Sequence, residues 1–443
     1  MEDGKLASAA QDLAAFSMLL VRHLGGHHHH REEDEEETTP AARPTNMAFS
    51  PMSLHAILSL LAAGATGAVR EQIVSFLGPA GEHAHEALAS KAISSVLSTR
   101  GNDDDVGEVD DEDDEEAPTP PPEVRCTMGI WVESSSLVLK PAFAAMAGSK
   151  YSAEARAVSF RKNTAQARAE INEWFNSKTG GHVQSLPLTE SISASTLVVL
   201  ANALYFRGYW YDYFLPEMTR DGSFHISPGR EVTVPFMEGN DLHARMQIGC
   251  HPGFKVLRMP YAAGMCQYDQ KFSMYIYLPD DRDGLPGMVR ELSSNPVAFL
   301  HGDDVVPARR VLVGELRLPT FQVSHNAEFS RLLADLGLDL TLFRPAGDSF
   351  SEMVAPLAEA EDDDDAMLPP MGVPSIVHQC SVQINESGTV AVAATALEII
   401  GFSAMDAAPE PVVDFVADHP FLFFIKEDRS RLLVFAGQVV DPS

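Results

Sequence analysis

His378 and Cys380 stand two apart in Val377–Ile384, a stretch whose alternation predicts a strand, so both side chains face one side of it. A thiol beside an imidazole is the pairing that cysteine nucleophiles use. No third group in the sequence orients the pair, and catalysis through Cys380 is the weakest of the chemical readings. The other cysteines, Cys126, Cys250 and Cys266, are far apart and lack metal-type spacing. Few, scattered thiols fit a reducing compartment. The run His27–His30 could hold a transition metal, but no cysteine or second histidine cluster completes a site, and a loop insertion is the simpler reading. Asn385-Glu386-Ser387 is formally a glycosylation acceptor. Directly after it come Gly388-Thr389-Val390-Ala391-Val392-Ala393-Ala394-Thr395-Ala396, all short and uncharged. Such a run could be an edge strand leading into a linker. It could also be a strand held in reserve, since small side chains are what a segment needs to slide between two strands already packed on a core.

The elements that must position these residues follow from periodicity. Leu6–Leu24 carries apolar residues at helical spacing and stops at Gly25-Gly26. Asn46–Phe49 is a short strand. Ser50-Pro51 opens a helix, with serine as cap and proline as first helical residue, and Leu54, Ile57, Leu58 and Leu61 form its buried face. Val69, Ile73 and Phe76 mark the next helix and Ala87–Leu97 another. Strand signals resume over Met128–Leu139. Helices are expected over Pro141–Tyr151 and over Ala165–Asn176, where Ile171, Trp174 and Phe175 share a face. Thr196–Tyr209 reads as a strongly apolar strand with one polar interior residue, Asn202. Shorter strands are expected at Glu231–Phe236, Phe254–Met259 and Phe272–Leu278. A helix bearing Phe329, Leu332, Leu333 and Leu336 should end at Gly337. Phe421–Ile425 and Leu432–Val440 close the chain as strands. Many strands mixed with short helices, without regular βαβ units, give an α+β class.

The 443 residues are 45% hydrophobic, enough for a large core. The net charge of -31 is concentrated: Glu32–Glu37 holds six acids, Asp103–Glu116 eleven and Glu359–Asp365 six. Removing these 23 leaves 40 acids against 32 bases, an ordinary balance. The acidity therefore belongs to insertions, about 25–43, 101–122 and 358–370, which are expected to be disordered. Nucleic acid and anionic membranes are not expected as partners. The start Met1-Glu2-Asp3-Gly4-Lys5 lacks a basic leader, and no run is long and apolar enough for a bilayer. The expectation is a soluble cytoplasmic protein, with the extracellular space as alternative, and neither cofactor nor metal.

Several motifs in order carry a resemblance. Asn46-Met47-Ala48-Phe49-Ser50-Pro51-Met52-Ser53 is similar to the Asn-x-x-Phe-Ser-Pro-x-Ser signature of the serpin family. Asn202–Trp210 (NALYFRGYW) is similar to its Asn-Ala-x-Tyr-Phe-Lys-Gly-x-Trp motif. Leu318-Pro319 with Phe321, Leu336-Gly337 and Asp418-His419-Pro420-Phe421 fit later motifs, and Glu386–Ala396 fits the hinge. Asp414–Pro420 resembles the plant branch. The resemblance implies one domain over 1–443, three β-sheets, about nine helices and an exposed reactive centre loop over about 388–413.

It also implies a mechanism. A serpin is a substrate that traps its enzyme, a serine or cysteine protease, and a monomer suffices. The family's spacing, thirteen residues after the hinge threonine, puts the reactive bond at Phe402-Ser403. Met405 and, for an Asp-specific protease, Asp406 are alternatives. Thirteen residues at strand rise span about 43 Å. Insertion would bury Thr389, Ala391, Ala393 and Thr395, with Ala394 and Ala396 completing the small-residue hinge. Val390 and Val392 would face outward, where many relatives carry an acid or alanine. No Lys or Arg occurs between Glu386 and Lys426, so a protease requiring a basic residue is not the expected target. Phe402 suits a chymotrypsin-like pocket or a papain-like protease. Ser50, Ser53, Asn202 and His378 match a polar cluster beneath the sheet where strands must part. Trp210 and Glu386 match the point where insertion begins. Thr320 replaces a lysine that pairs with the hinge glutamate in many relatives, so that ion pair should be missing. A glycan at Asn385 would obstruct insertion. A non-inhibitory storage, binding or chaperone protein is the second reading.

Overall fold

The computed structural model describes residues 2–26, 45–97, 119–183, 186, 188, 192–263, 270–339, 349–357, 375–389 and 411–443. The acidic and His-rich insertions fall almost wholly outside these residues, as does the loop from 390 to 410, with Ala391, Ala393, Ala394, Thr395, Ala396, Phe402, Ser403, Met405 and Asp406.

The central element is the strand Val198–Tyr209. It is buried on both faces because each face has its own cover. Val199, Ala201 and Ala203, with Val377 of the neighbouring strand, pack under the helix Thr164–Lys178 through Ile171, Trp174 and Phe175. Leu200, Leu204 and Phe206, with Ile376 and Cys380, face the main core. This two-sided burial is why the segment reads as a continuous apolar run rather than an alternating one. On one side it pairs antiparallel with Glu123–Glu133, which carries Ala153–Val158 as a parallel edge strand. On the other it pairs in parallel with Ser375–Asn385, from Ser375↔Val199 to Ser381↔Tyr205, and Phe321–Glu328 closes that edge.

A ten-stranded sheet holds most remaining strands, among them Met47–Phe49, Leu433–Val439, Phe421–Glu427, Phe272–Pro279 and Phe254–Pro260. A two-stranded sheet pairs Leu137–Leu139 with Val354–Pro356. These three sheets and nine α-helices among the described residues make the α+β class expected. Among the described residues no helix is long and apolar enough to cross a membrane.

Local chemistry set several boundaries as expected. Ser50 Oγ accepts from Ser53 N at 3.2 Å and Pro51 is the first residue of helix Pro51–Gly64. Helix Phe329–Asp335 ends with Gly337 at φ +105°, in the left-handed region, and Leu338 N closing back on Leu333 O at 2.9 Å. The helix expected at Ala87–Leu97 instead runs Glu82–Ser95. Its first turn is polar and carries the buried His85, so its inner face is not apolar enough to show by periodicity. The strands Ala153–Val158, Arg220–Ser227, Arg245–His251 and Val311–Pro319 and the helix Leu285–Ser294 are additional to those expected from periodicity, being short or rich in charge.

Candidate functional site: the hinge and the sheet opening

The central strand and Ser375–Asn385 part company above Ser381 and Tyr205. Into the fork comes the two-residue strand Gly388–Thr389, after the chain has reversed through Glu386-Ser387. Thr389 pairs with Ile384 on one side and Gly208 on the other; Gly388 pairs with Asn385 and Tyr209. The first two residues of the small-residue run thus already lie between the strands that touch directly lower down.

Each step of this reversal has a physical cause. Asn385 Oδ1 accepts from Ser387 N at 3.1 Å and Gly388 N at 3.2 Å, a side-chain-mediated turn. Gly388 has φ +149°, and a Cβ there would run into the Gly208 carbonyl and lie 2.8 Å from Tyr209 Cα. No other residue fits this position without moving the central strand. Trp210 holds the turn from below: its backbone N donates to Ser387 O at 2.9 Å and its indole Nε1 to Asn385 O at 3.0 Å. Phe214 N donates to Glu386 O at 3.0 Å, and Thr219 Oγ1 donates to the Glu386 carboxylate at 2.6 Å. Thr320 does not take the place of a lysine at this carboxylate; the hydroxyl of Thr219 does.

Thr389 is fully buried. Its Oγ1 lies 2.7 Å from the hydroxyl of Tyr261, whose ring stacks on Trp210 at 4.6 Å. Burial pushes the Tyr261 hydroxyl well above the usual tyrosine range, with the bond to Thr389 pulling slightly the other way, so it stays a neutral hydrogen-bonding group. Tyr261 and Thr219 carried no signal in the sequence; their hydroxyls acquire partners only through the tertiary approach of the turn.

The polar cluster lies on the core face of the same sheet. His378 Nε2 accepts from Ser50 N at 3.0 Å, and His378 Nδ1 donates to Asn202 Oδ1 at 2.7 Å. These two bonds require the neutral Nδ1–H tautomer. Ser53 N donates to Ser50 Oγ and Ser53 Oγ to Ser50 O. All four residues are buried, and the Phe329 ring stands edge-on to His378 at 5.4 Å. Ser50, Ser53, Asn202 and His378, which the resemblance matches to one cluster, lie together in the fold. The histidine bonds across the junction of the two parallel strands and ties it to the cap of helix Pro51–Gly64. His378→Ala is expected to lower the unfolding free energy by about 3 kcal/mol, because it leaves a cavity and a buried donor and acceptor without partners. Urea denaturation checks this; a loss below about 1 kcal/mol would show that water replaces the ring at little cost.

The His378–Cys380 pairing does not form a nucleophilic site. Cys380 is buried, its Sγ donates to Ala48 O at 3.0 Å, and burial drives the thiol far above its usual range. His378 is occupied by Ser50 and Asn202. No cluster of three metal-ligating side chains occurs among the described residues, and His27–His30 lie outside them.

Comparison with known proteins fits this geometry. The family model "Serpin (serine protease inhibitor)" matches residues 36–442. Serpin-Z1B of Triticum aestivum is 37% identical over 403 residues, covering 91% of this chain and 92% of its own. Putative serpin-Z6C of Oryza sativa subsp. japonica is 34% identical over 450 residues and covers both chains fully. The solved structure of Arabidopsis AtSerpin1 in its native stressed conformation has a TM-score of 0.76 at 30% identity, with 98% of each chain covered. The chain belongs to the serpin family. Members of that family are in general protease inhibitors rather than enzymes, and its partner class is therefore a protease.

Proposed function

We propose that this serpin is inhibitory and traps a chymotrypsin-like serine protease or a papain-like cysteine protease as a suicide substrate. The observation that carries the proposal is Gly388–Thr389 already paired between strands that are closed below it. Further insertion needs only the sequential replacement of the Ser375–Ser381 to Val199–Tyr205 pairing by a new antiparallel strand.

In this reading the target's hydroxyl or thiol attacks the carbonyl carbon of Phe402. The Phe402–Ser403 bond breaks, the Ser403 amine leaves with the proton, and an acyl-enzyme remains. Residues from Val390 onward then enter the fork that Thr389 occupies. The tethered protease is carried along the sheet, its oxyanion hole is distorted, and deacylation stops. The absence of basic residues between Glu386 and Lys426 turns specificity toward hydrophobic pockets. Monomeric action in the cytoplasm is part of the proposal. Cys126, Cys250 and Cys380 are free thiols, which suits a reducing compartment; cell fractionation separates this from the extracellular alternative.

Incubation with chymotrypsin, followed by denaturing electrophoresis and mass spectrometry, should show a covalent complex and a released peptide beginning at Ser403. The valines at 390 and 392 favour a second reading, a non-inhibitory serpin, because branched side chains on the outer face would slow insertion. In that case loop cleavage gives no complex and leaves the melting temperature nearly unchanged, whereas an inserting chain gains many degrees.

A further inference from the structure

The segment Trp210–Phe214, which leads out of the central strand, grips the hinge reversal through the carbonyls of Asn385, Glu386 and Ser387. A second element holds this segment in turn. It is the single 3-10 turn Asp241–His243 with its cap Asn240, between the strands Arg230–Glu238 and Arg245–His251. Asn240 divides its amide between two tasks. Its Oδ1 caps the turn by accepting from Leu242 N at 2.9 Å, and its Nδ2 donates to Tyr213 O at 3.1 Å. His243 Nε2 donates to Asp212 O at 3.2 Å, and its ring stacks on that of Phe214 at 4.3 Å, both rings being buried. Three successive residues of the gripping segment, Asp212, Tyr213 and Phe214, are thus tied to one turn. Arg310 adds an ion pair to Asp212 at 3.5 Å.

Phe214 carries this restraint to the hinge. Its ring is held by His243, and its backbone N donates to Glu386 O at 3.0 Å. The reversal itself is a minimal hairpin: Ile384 pairs with Thr389 and Asn385 with Gly388 around Glu386-Ser387. Two paired residues on each strand do not hold a hairpin together in water, so its order comes from what surrounds it. This hairpin is also the start from which residues from Val390 onward would add. An ordered start spares insertion the entropy of fixing those first residues.

We propose that Asn240 and His243 are positioning residues for loop insertion: they fix Asp212–Phe214, and through Phe214 the Glu386 carbonyl, so that the hinge hairpin is ordered before the loop is cleaved. The effect on trapping rests on the inhibitory reading; the effect on hinge order does not. Without the brace the hairpin frays. Insertion then has to order it after acylation, while deacylation competes. Neither residue belongs to the hinge or the polar cluster, and both act on the hinge through the segment they hold.

Asn240→Asp separates the two tasks of the amide. The carboxylate still caps the turn but has no N–H for Tyr213 O. Hydrogen exchange of the full chain, read on peptides spanning Asn385–Thr389, should quicken about fivefold or more, the worth of one lost hydrogen bond. Peptides from Ser375–Ser381 and Val199–Tyr205 should keep the parent's rates. His243→Phe, which keeps a ring against Phe214 but loses the donor to Asp212 O, should act in the same way. Asp241→Ala, at an exposed position of the same turn, should leave hinge exchange unchanged. With chymotrypsin, the ratio of covalent complex to cleaved chain should fall several-fold in Asn240→Asp and His243→Phe. Parent rates at Asn385–Thr389 in both variants, or faster exchange spread over the whole sheet, would overturn the positioning role. Faster hinge exchange with the parent's complex ratio would overturn its bearing on trapping. A parent chain that forms no complex at all would overturn the inhibitory reading instead, and hinge exchange alone would then decide the brace.

Discussion

Under the proposed trapping mechanism, Thr389→Arg is expected to convert the protein from an inhibitor into a substrate. Thr389 has no exposed surface, and its neighbours leave no route outward: Ile384 and Gly208 flank it in the sheet and Tyr261 meets its hydroxyl. An arginine would have to bury a guanidinium at a position whose partners among the described residues, Ile384, Gly208 and Tyr261, include no carboxylate, which costs several kcal/mol. In the intact protein the two-residue strand Gly388–Thr389 would be expelled. The strands below pair directly with each other, so the fold should survive with a melting temperature within a few degrees of the parent. In the proposed mechanism the penalty falls, after acylation, on the first step of insertion. Trapping competes with deacylation, and each 1.4 kcal/mol on insertion shifts that competition tenfold. A penalty of about 4 kcal/mol would therefore reduce the trapped fraction about a thousandfold. The readout is the ratio of covalent complex to cleaved chain on a denaturing gel: the complex band should disappear while cleavage continues. Thr389→Ser, which keeps the hydroxyl, should retain trapping. A persistent complex with Thr389→Arg would mean that insertion does not begin at this residue.

The same site shows what a sequence exposes and what it hides. The polar cluster was legible through the resemblance, which matches Ser50, Ser53, Asn202 and His378 to one group; by pattern alone only Asn202 stood out, as a polar residue in an otherwise apolar strand. The structure joins Ser50 to His378 across 328 residues. The helix Thr164–Lys178 was legible for a related reason, since Ile171, Trp174 and Phe175 have one large apolar surface to cover. Tyr261 and Thr219 were not legible. A tyrosine at the end of a strand and a threonine after a short turn are ordinary residues, and each gains meaning only because the chain reverses at Glu386-Ser387 beside it. Gly388 lies between these cases: the hinge match and the small-residue run it opens marked it, but its need to be glycine comes from the Gly208 carbonyl against it. Charge misled in the other direction. The strand Arg245–His251 and the first turn of Glu82–Ser95 carry ionisable groups inside regular structure, so their polarity masked elements that tertiary packing stabilises.

Buried histidines give the second large expectation: stability should fall by several kcal/mol as the pH drops from 7.5 to 5. His55 is fully buried, with its Nε2 3.1 Å from His85 Nδ1 and its own Nδ1 lacking a partner among the described residues; burial, reinforced by His85, lowers it to about 3. His243 stacks on Phe214 at 4.3 Å; burial lowers it to about 4, although its bond to Asp212 O resists. His301 is lowered to about 4 by burial and then by Lys426 and Arg431. Each folded pKa lies below the unfolded value of about 6.5, so between these limits the unfolded chain binds more protons than the folded one. The stability that neutral burial allows is therefore fully present above pH 6.5 and is lost progressively as the pH falls toward 3 to 4. Each group costs about 1.4 kcal/mol per pH unit in that window, or about 2 kcal/mol at pH 5. Asp212 and Asp428, whose carboxyls burial raises, act with the opposite sign, but only once the pH approaches their folded pKa values. Urea midpoints measured between pH 7.5 and 5 test the sum. His55→Phe tests one member: it should flatten the slope by close to one proton, and an unchanged slope would show that His55 takes up its proton in the folded protein as readily as in the unfolded chain.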